Sequence, residues 1–151
     1  MVLFYIAITL LTFVCMEAVT WLTHKYAMHG FMWYFHEDHH QPKYANTFER
    51  NDIFFVIGSI PSITLFYFGV DGGINYLFFM GLGFLLYGIA YFLVHDVLAH
   101  RRLAWWKKSN NTYLQAIVRA HKIHHKHMQK EDSESFGLLW VSKKYFTKRK
   151  Y

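Results

Sequence analysis

The sequence predicts an all-α integral membrane protein, a helical bundle with a cytoplasmic, histidine-rich di-metal cap. Hydrophobic residues make up 54% of the 151 residues and aromatic residues 21%, which is high for a water-soluble protein of this size. The charges are segregated, because every Lys and Arg lies within 25–50 or 101–150. Ten of the eleven histidines fall in four short motifs. The first two observations predict the bundle and the third predicts the cap.

Three apolar stretches are long enough to cross a bilayer as helices, which takes roughly 20 residues. They cover about residues 2–23, 53–70 and 74–94. A fourth span stays open if the region of Pro61 or residues 112–141 enters the membrane more deeply than hydropathy indicates. No basic segment precedes the first stretch, and it leads directly into a histidine motif, which disfavours a cleavable signal peptide. The pair Asn51 and Asp52 predicts an N-cap for the second helix.

The four histidine motifs come in two pairs, each an HxxxxH motif followed by an HxxHH motif. On a helix the three histidines of HxxHH share one face, whereas the two of HxxxxH lie roughly 140° apart. They can still join one site if the helix ends at the second, as Gly30 directly after His29 predicts. The predicted metal ligands are His24, His29, His36, His39, His40, His95, His100, His121, His124 and His125.

This ligand set predicts two metal ions, since ten imidazoles exceed what one ion can use. A closed structural zinc site takes four ligands, usually including cysteine, and the chain has only Cys15. A haem protein would need histidines facing each other within the bundle. A metal transporter would carry its polar ligands near the middle of the membrane. Metal binding or transport without catalysis stays open as the alternative of a different class.

Carboxylates near the histidines are candidates to orient the imidazoles. Glu17 lies inside the first span, where a charge is costly and usually functional, and it is seven residues before His24 on the same helix face. Asp96 follows a histidine directly. Glu37 and Asp38, inside the second motif, are candidates for the same task or ordinary charges at a helix end.

The basic segment after the third span contains the last motif. Residues 112–127 predict an amphipathic helix whose apolar stripe runs into the histidines, and His127 falls off that stripe and is left out of the site. Arg101 and Arg102 can pair with the nearby carboxylates or with lipid phosphate. The net charge of +6 fits anionic lipid head groups, and no nucleic-acid partner is expected.

Three spans put both histidine pairs on the same side of the membrane. The histidine-bearing segments 24–52 and 95–151 hold all of the basic residues, while the short loop on the far side carries Asp71 and no Lys or Arg. The positive-inside rule therefore predicts an inner-membrane protein with its histidines in the cytoplasm. We expect residues 1–151 to form one domain.

In the residues and spacing of these motifs, the chain resembles the fatty acid hydroxylase and sterol desaturase superfamily of membrane di-iron enzymes. Within it, the chain is similar to the bacterial-type β-carotene 3-hydroxylases. The similarity covers nearly the whole chain. The segments that carry it are 24–30, 33–40, 51–52, 87–88, 91–102, 120–125 and 135–137.

The resemblance implies a non-haem di-iron monooxygenase that hydroxylates carbon 3 of the β-ionone rings of β-carotene, giving β-cryptoxanthin and then zeaxanthin. It implies two iron ions on the ten histidines, O2 as co-substrate, and electrons from ferredoxin and ferredoxin reductase. Zinc can replace iron in a purified sample. The alternatives within the superfamily are a fatty acyl or sterol hydroxylase or desaturase, and a carotenoid ketolase. Tyr87 and Tyr91 are candidates to contact the substrate or simply to pack.

Overall fold

The structure is a computed structural model that describes residues 1–41 and 48–147. Parts of the predicted segments 24–52 and 95–151, namely 42–47 and 148–151, lie outside the described residues. Within the described ranges, every regular element is a helix, as predicted. The α-helices are α1 (Val2–Leu22), α2 (Trp33–His40), α3 (Ile53–Val70), α4 (Tyr76–Tyr91) and α5 (Thr112–His124). Two π-helical segments, Thr23–Phe31 and Phe92–Ala99, continue α1 and α4, and 3-10 turns occupy Arg50–Asp52 and Lys143–Phe146.

Three of these helical runs are long and apolar enough to cross a membrane, in agreement with the three predicted spans. They are Val2–Phe31, Arg50–Val70 and Tyr76–Ala99. Large apolar side chains on their outer surfaces are exposed, for example Leu11 and Ile63. A surface of this kind is unfavourable in water and suited to lipid. The histidines lie at one end of the three runs.

Helix α4 packs against both α1 and α3. Tyr5 of α1 stacks on Phe79 of α4 with ring centroids 4.2 Å apart, and the Thr9 hydroxyl donates to the Phe79 carbonyl at 3.2 Å. On the other side, the Ser62 hydroxyl of α3 donates to the Gly81 carbonyl at 3.1 Å. Small residues at these contacts let the helix backbones approach closely.

The two HxxxxH motifs adopt π-helical geometry, which the sequence analysis did not anticipate. The His100 amide donates to the His95 carbonyl at 2.9 Å, and the Met32 amide donates to the Ala27 carbonyl at 2.9 Å. Both bonds span five residues, as in a π-helix. The wider turn brings residues i and i+5 closer in angle than in an α-helix. The predicted break at Gly30 is present, with φ −117° and ψ −124°, but the π-turn before it aligns the two histidines.

The predicted N-cap at residues 51–52 is confirmed in position, because Asp52 is the N-cap residue of α3, but neither side chain makes the expected capping bond. Glu49 occupies the cap of the preceding 3-10 turn, and its backbone amide donates to the Asp52 carboxylate at 3.0 Å. The Asp52 side chain does not cap α3. Asn51 is buried and its amide oxygen faces His36. A residue type that favours helix ends serves here as a hydrogen-bond partner of a histidine.

Candidate metal centre

The ten histidines of the four motifs converge where the two π-helical segments, α2 and α5 meet. Ring nitrogens of five of them lie within 4.8 Å of one another and form the first cluster: His24, His29, His36, His40 and His124. Ring nitrogens of four others also lie within 4.8 Å of one another: His39, His95, His100 and His121. These four and the adjacent His125 form the second cluster. The His125 ring centroid lies 4.4 Å from that of His121 and 4.7 Å from that of His100. His127 is exposed and belongs to neither cluster.

Each cluster takes one histidine from the other half of the chain. In both HxxHH motifs the first and last histidines join the cluster of their own half, because they are four residues apart on one helix face. The middle histidine of each motif joins the cluster of the other half. His124 of α5 enters the first cluster, and His39 of α2 enters the second. The two motif pairs are therefore interlocked rather than side by side.

In the first cluster, hydrogen bonds to oxygen atoms outside the cluster fix the ring orientations. In each case Nδ1 of the histidine is the donor. His24 donates to the Phe136 carbonyl at 2.9 Å, and His29 donates to the Met128 carbonyl at 2.9 Å. His36 donates to the Asn51 amide oxygen at 2.7 Å, and His124 donates to the Glu134 carbonyl at 2.9 Å. A carbonyl oxygen can only accept. Each of these neutral imidazoles must therefore carry its proton on Nδ1, which leaves a lone pair on Nε2.

Those lone pairs face one another. The Nε2 atom of His24 lies 3.0 Å from Nε2 of His36 and 3.0 Å from Nε2 of His124. The Nε2 atoms of His29 and His124 are 3.1 Å apart. With the single proton of each ring already used at Nδ1, these contacts are not hydrogen bonds. A cation between the nitrogens would turn their repulsion into coordination, so the residues fit a metal ion that prefers imidazole.

The second cluster is backed by carboxylates. Nδ1 of His39 donates to the Glu49 carboxylate at 2.8 Å, and Nδ1 of His95 lies 3.4 Å from the Asp96 carboxylate. The Nε2 atoms of these two histidines are 3.2 Å apart. Arg102 donates to the Asp96 carboxylate at 2.8 Å. A carboxylate behind a ligating imidazole fixes its tautomer and raises its basicity.

Burial keeps four of the clustered histidines neutral. Burial lowers the pKa of His36 and His124 to about 3 and that of His40 and His100 to about 2. A neutral imidazole is the form that binds a metal. The buried ring nitrogens of His40, and Nε2 of His125, have no hydrogen-bond partner within the described part of the chain. The two rings stack with centroids 4.2 Å apart, between the clusters. Buried nitrogens without partners are unfavourable unless they coordinate an ion.

The predicted carboxylates divide between the site and its surroundings. Asp96 contacts His95, as expected for an orienting group. Glu37 and Asp38 instead contact Arg50, with the Asp38 carboxylate accepting from its backbone amide at 2.7 Å. Arg102 pairs with Asp96, which resolves one of the two options open from the sequence. The roles of these groups in function stay predictions.

Glu17 belongs to a polar network that ties a later segment to the membrane helices. Its carboxylate accepts from the Tyr87 hydroxyl at 2.8 Å and from the backbone amides of Leu139 and Trp140 at 2.8 and 2.7 Å. The same segment supplies the Phe136 carbonyl to the first cluster. Glu17 is therefore connected to the histidines through the backbone, and its own oxygens bind these three donors.

Several groups that contact the histidines were not predicted from the sequence. Glu49 and Asn51 orient histidines of different clusters, and the Ser133 hydroxyl lies 2.8 Å from Nδ1 of His124. Asn51 lies in a segment that carries the family resemblance, so its pattern was visible but was interpreted as a helix cap. The backbone carbonyls that accept from the histidines could not be predicted, because every residue has a carbonyl whatever its side chain.

Comparisons with known proteins identify the family of this chain. A family model described as "Fatty acid hydroxylase" matches residues 9–144. The chain is 38% identical over 136 residues to a protein named "Beta-carotene hydroxylase" from Pseudescherichia vulneris, covering 90% of this chain and 76% of that protein. It is 39% identical over 134 residues to a protein of the same name from Pantoea ananas, covering 89% and 75%.

A chloroplast protein is also similar. "Beta-carotene hydroxylase 1, chloroplastic" from Capsicum annuum is 40% identical over 119 residues, which cover 77% of this chain and 37% of that protein. No solved structure gives a significant match. The family match includes all four histidine motifs and most of the three apolar helical runs. The chain therefore belongs to the fatty acid hydroxylase family.

Proposed function

We propose that this chain is a β-carotene 3-hydroxylase, a membrane monooxygenase that converts β-carotene through β-cryptoxanthin to zeaxanthin. The observation that carries the proposal is the pair of interlocked histidine clusters at one end of an apolar bundle. It is supported by membership of a hydroxylase family and by relatives named beta-carotene hydroxylase. Each ring hydroxylation would consume one O2, two electrons and two protons, replacing one C–H hydrogen by hydroxyl and releasing one water.

The clusters would each hold one iron ion, the first through His24, His29, His36, His40 and His124 and the second through His39, His95, His100, His121 and His125. Iron held there would supply the activation of dioxygen for an otherwise unreactive C–H bond. Zinc is expected to compete for the same nitrogens in a purified sample, since it binds imidazole more tightly than Fe2+ does.

The protein's own contribution would be ligand orientation and exclusion of water. Oxygen acceptors behind the rings hold the Nδ1 protons and direct the Nε2 lone pairs inward. All five histidines of the first cluster are buried, so bulk water would have little access to the centre. A dry, preorganised site protects a reactive centre from side reactions.

Regiochemistry would depend on how the ring is placed. Carbon 3 of the β-ionone ring is not allylic, whereas the neighbouring carbon 4 is, so intrinsic reactivity favours carbon 4. A shift of about 1 Å in ring position is enough to change the outcome. Tyr91 is a candidate for the placement, because its ring lies 4.6 Å from that of His95 in the helical run that enters the membrane. Tyr87 is less suited, since its hydroxyl binds Glu17.

The proposed location is the inner membrane, with the histidine end in the cytoplasm. The argument is the distribution of charge, since the basic residues flank the histidine end and the opposite loop carries Asp71. An apolar substrate would reach the centre from the bilayer. Ferredoxin and ferredoxin reductase would supply electrons from the cytoplasmic side, and the basic surface there would suit an acidic donor.

Pigment analysis tests this function directly. The chain would be expressed in β-carotene-producing cells that contain ferredoxin and its reductase, with His124→Ala as the matched control and membrane insertion checked for both. We expect zeaxanthin from the wild type alone. Echinenone or canthaxanthin would identify a ketolase instead. Unchanged β-carotene with inserted protein would contradict the proposal and favour an acyl or sterol substrate, which lipid analysis of the same cells would reveal.

A further inference from the structure

A basic cleft with a volume of about 290 Å³ lies beside the start of α5, and none of the clustered histidines lines it. Three cationic side chains line it, Arg101, Lys107 and Lys108, and no acidic residue does. Its apolar wall is formed by Leu98, Leu114 and Val118. The cleft therefore combines positive charge with an apolar surface, and this combination is complementary to an amphipathic anion.

The three cations have no carboxylate partner among the ion pairs of residues 1–41 and 48–147. The neighbouring Arg102 differs sharply, because it pairs with both Asp52 and Asp96. The backbone turns at Arg101. Its φ of +58° lies in the left-handed region, which is unfavourable for a residue other than glycine. The turn separates two consecutive arginines, so that one secures the second cluster and the other lines the cleft.

The cleft lies at the level expected for lipid head groups. Leu98 belongs to the last turn of the run Tyr76–Ala99, which is long and apolar enough to span the membrane, and Arg101 follows two residues after its end. The ring of Trp105, exposed over 74% of its surface, lies 6.4 Å from the ring of Phe92 in the same run. Tryptophan is enriched at this boundary between hydrocarbon and water.

We propose that this cleft binds the phosphate of an anionic phospholipid. The phosphodiester would lie among Arg101, Lys107 and Lys108, and the first part of an acyl chain would pack on the wall formed by Leu98 and its neighbours. The volume is near the lower end for small-molecule pockets, about 300–1,000 Å³, and suits a head group better than a protein loop. The proposal depends on the membrane placement of the third apolar run and is independent of the reaction catalysed.

Native mass spectrometry of the purified full chain in detergent tests the site. Phosphatidylglycerol and phosphatidylcholine with identical acyl chains would be added to the wild type, to the triple variant Arg101→Ala, Lys107→Ala, Lys108→Ala, and to a control triple variant. The control removes the same charge from exposed lysines outside the cleft: Lys122→Ala, Lys126→Ala and Lys143→Ala. Helix content by circular dichroism verifies that each variant is folded.

We expect the wild type and the control to retain phosphatidylglycerol preferentially, and the cleft variant to lose at least about tenfold in its apparent affinity, which corresponds to the loss of several charge contacts. Equal losses in both triple variants would overturn the proposal, because they would mean attraction by net charge alone. Displacement of the lipid by inorganic phosphate at equal concentration would identify a free-phosphate site. Retained lipid binding with weakened binding of an acidic electron-donor protein would identify a protein-docking surface instead.

Discussion

The two histidine clusters share a plan but differ in what surrounds them. Each takes four histidines from its own half of the chain and one from the other. The oriented rings of the first cluster donate to neutral oxygens, such as that of Asn51, whereas His39 and His95 of the second face carboxylates. All members of the first cluster are buried, while His100 and His121 of the second are partly exposed.

The two proposed metal sites should therefore be unequal in character. A carboxylate behind an imidazole makes that ring a more basic ligand and adds negative charge near the ion. The rings of the first cluster are oriented mostly by backbone carbonyls, and all five are buried. We therefore expect metal affinity and accessibility to differ between the clusters, and variants of their supporting residues to separate them.

The largest effect is expected from the two histidines that cross between the halves. His39→Ala and His124→Ala should each reduce carotenoid hydroxylation to background, because each removes a ligand from one site and both sites are required. Product formation in membranes containing equal amounts of protein measures this. His127→Ala is the control and should leave turnover unchanged, since that side chain lies outside both clusters. Near-normal turnover in either crossing variant would contradict a two-metal centre.

A smaller effect is expected from the groups that orient one histidine in each cluster. Glu49→Gln should weaken metal binding in the second cluster, and Asn51→Ala in the first, each by about 10–100-fold, the usual range for a lost partner of a ligating histidine. Metal release into a chelator would be followed over time, with two phases expected in the wild type. The variants should accelerate different phases. Acceleration of the same phase by both would remove the distinction between the sites.

The smallest effect is expected from the anchor at Glu17. Glu17→Ala removes the acceptor of three hydrogen bonds and should destabilise the protein by about 2 kcal/mol, since a typical hydrogen bond contributes about 0.5–1.5 kcal/mol and water replaces part of the loss. Tyr87→Phe removes one of the three donors and should cost about 1 kcal/mol. Thermal unfolding in detergent measures both.

The anchor also sharpens the comparison of the clusters. Because the segment held by Glu17 supplies the Phe136 carbonyl to His24, Glu17→Ala should loosen metal in the first cluster and leave the second unchanged. A selective loss from the second cluster would contradict this route of support.

The sequence predicted the helices, the three apolar runs and the ten clustered histidines. These features depend on local patterns, namely apolar length and the spacing of histidines along a helix. The placement of His36 and His40 in one cluster also follows from spacing, because residues four apart share a helix face. The same rule does not predict which cluster His39, three residues after His36, will join.

The interlocking of the motifs could not be predicted, because it depends on contacts between distant parts of the chain. His24 meets His124 across 100 residues of sequence, and His39 meets His95 across 56. The role of Asn51 was equally hidden, since asparagine suits a helix cap and a histidine partner alike. The π-helical turns were missed because a spacing of five was compared with α-helical geometry alone.

The most direct test of the interlocked arrangement is to locate the metal that remains when one crossing histidine is removed. Anomalous X-ray diffraction from crystals of metal-loaded His124→Ala and His39→Ala would give the position of the ion in each. We predict that His124→Ala retains metal between His95, His100 and His121, and that His39→Ala retains it between His24, His29 and His36. The opposite result, with His124→Ala emptying the cluster of its own half, would contradict the account.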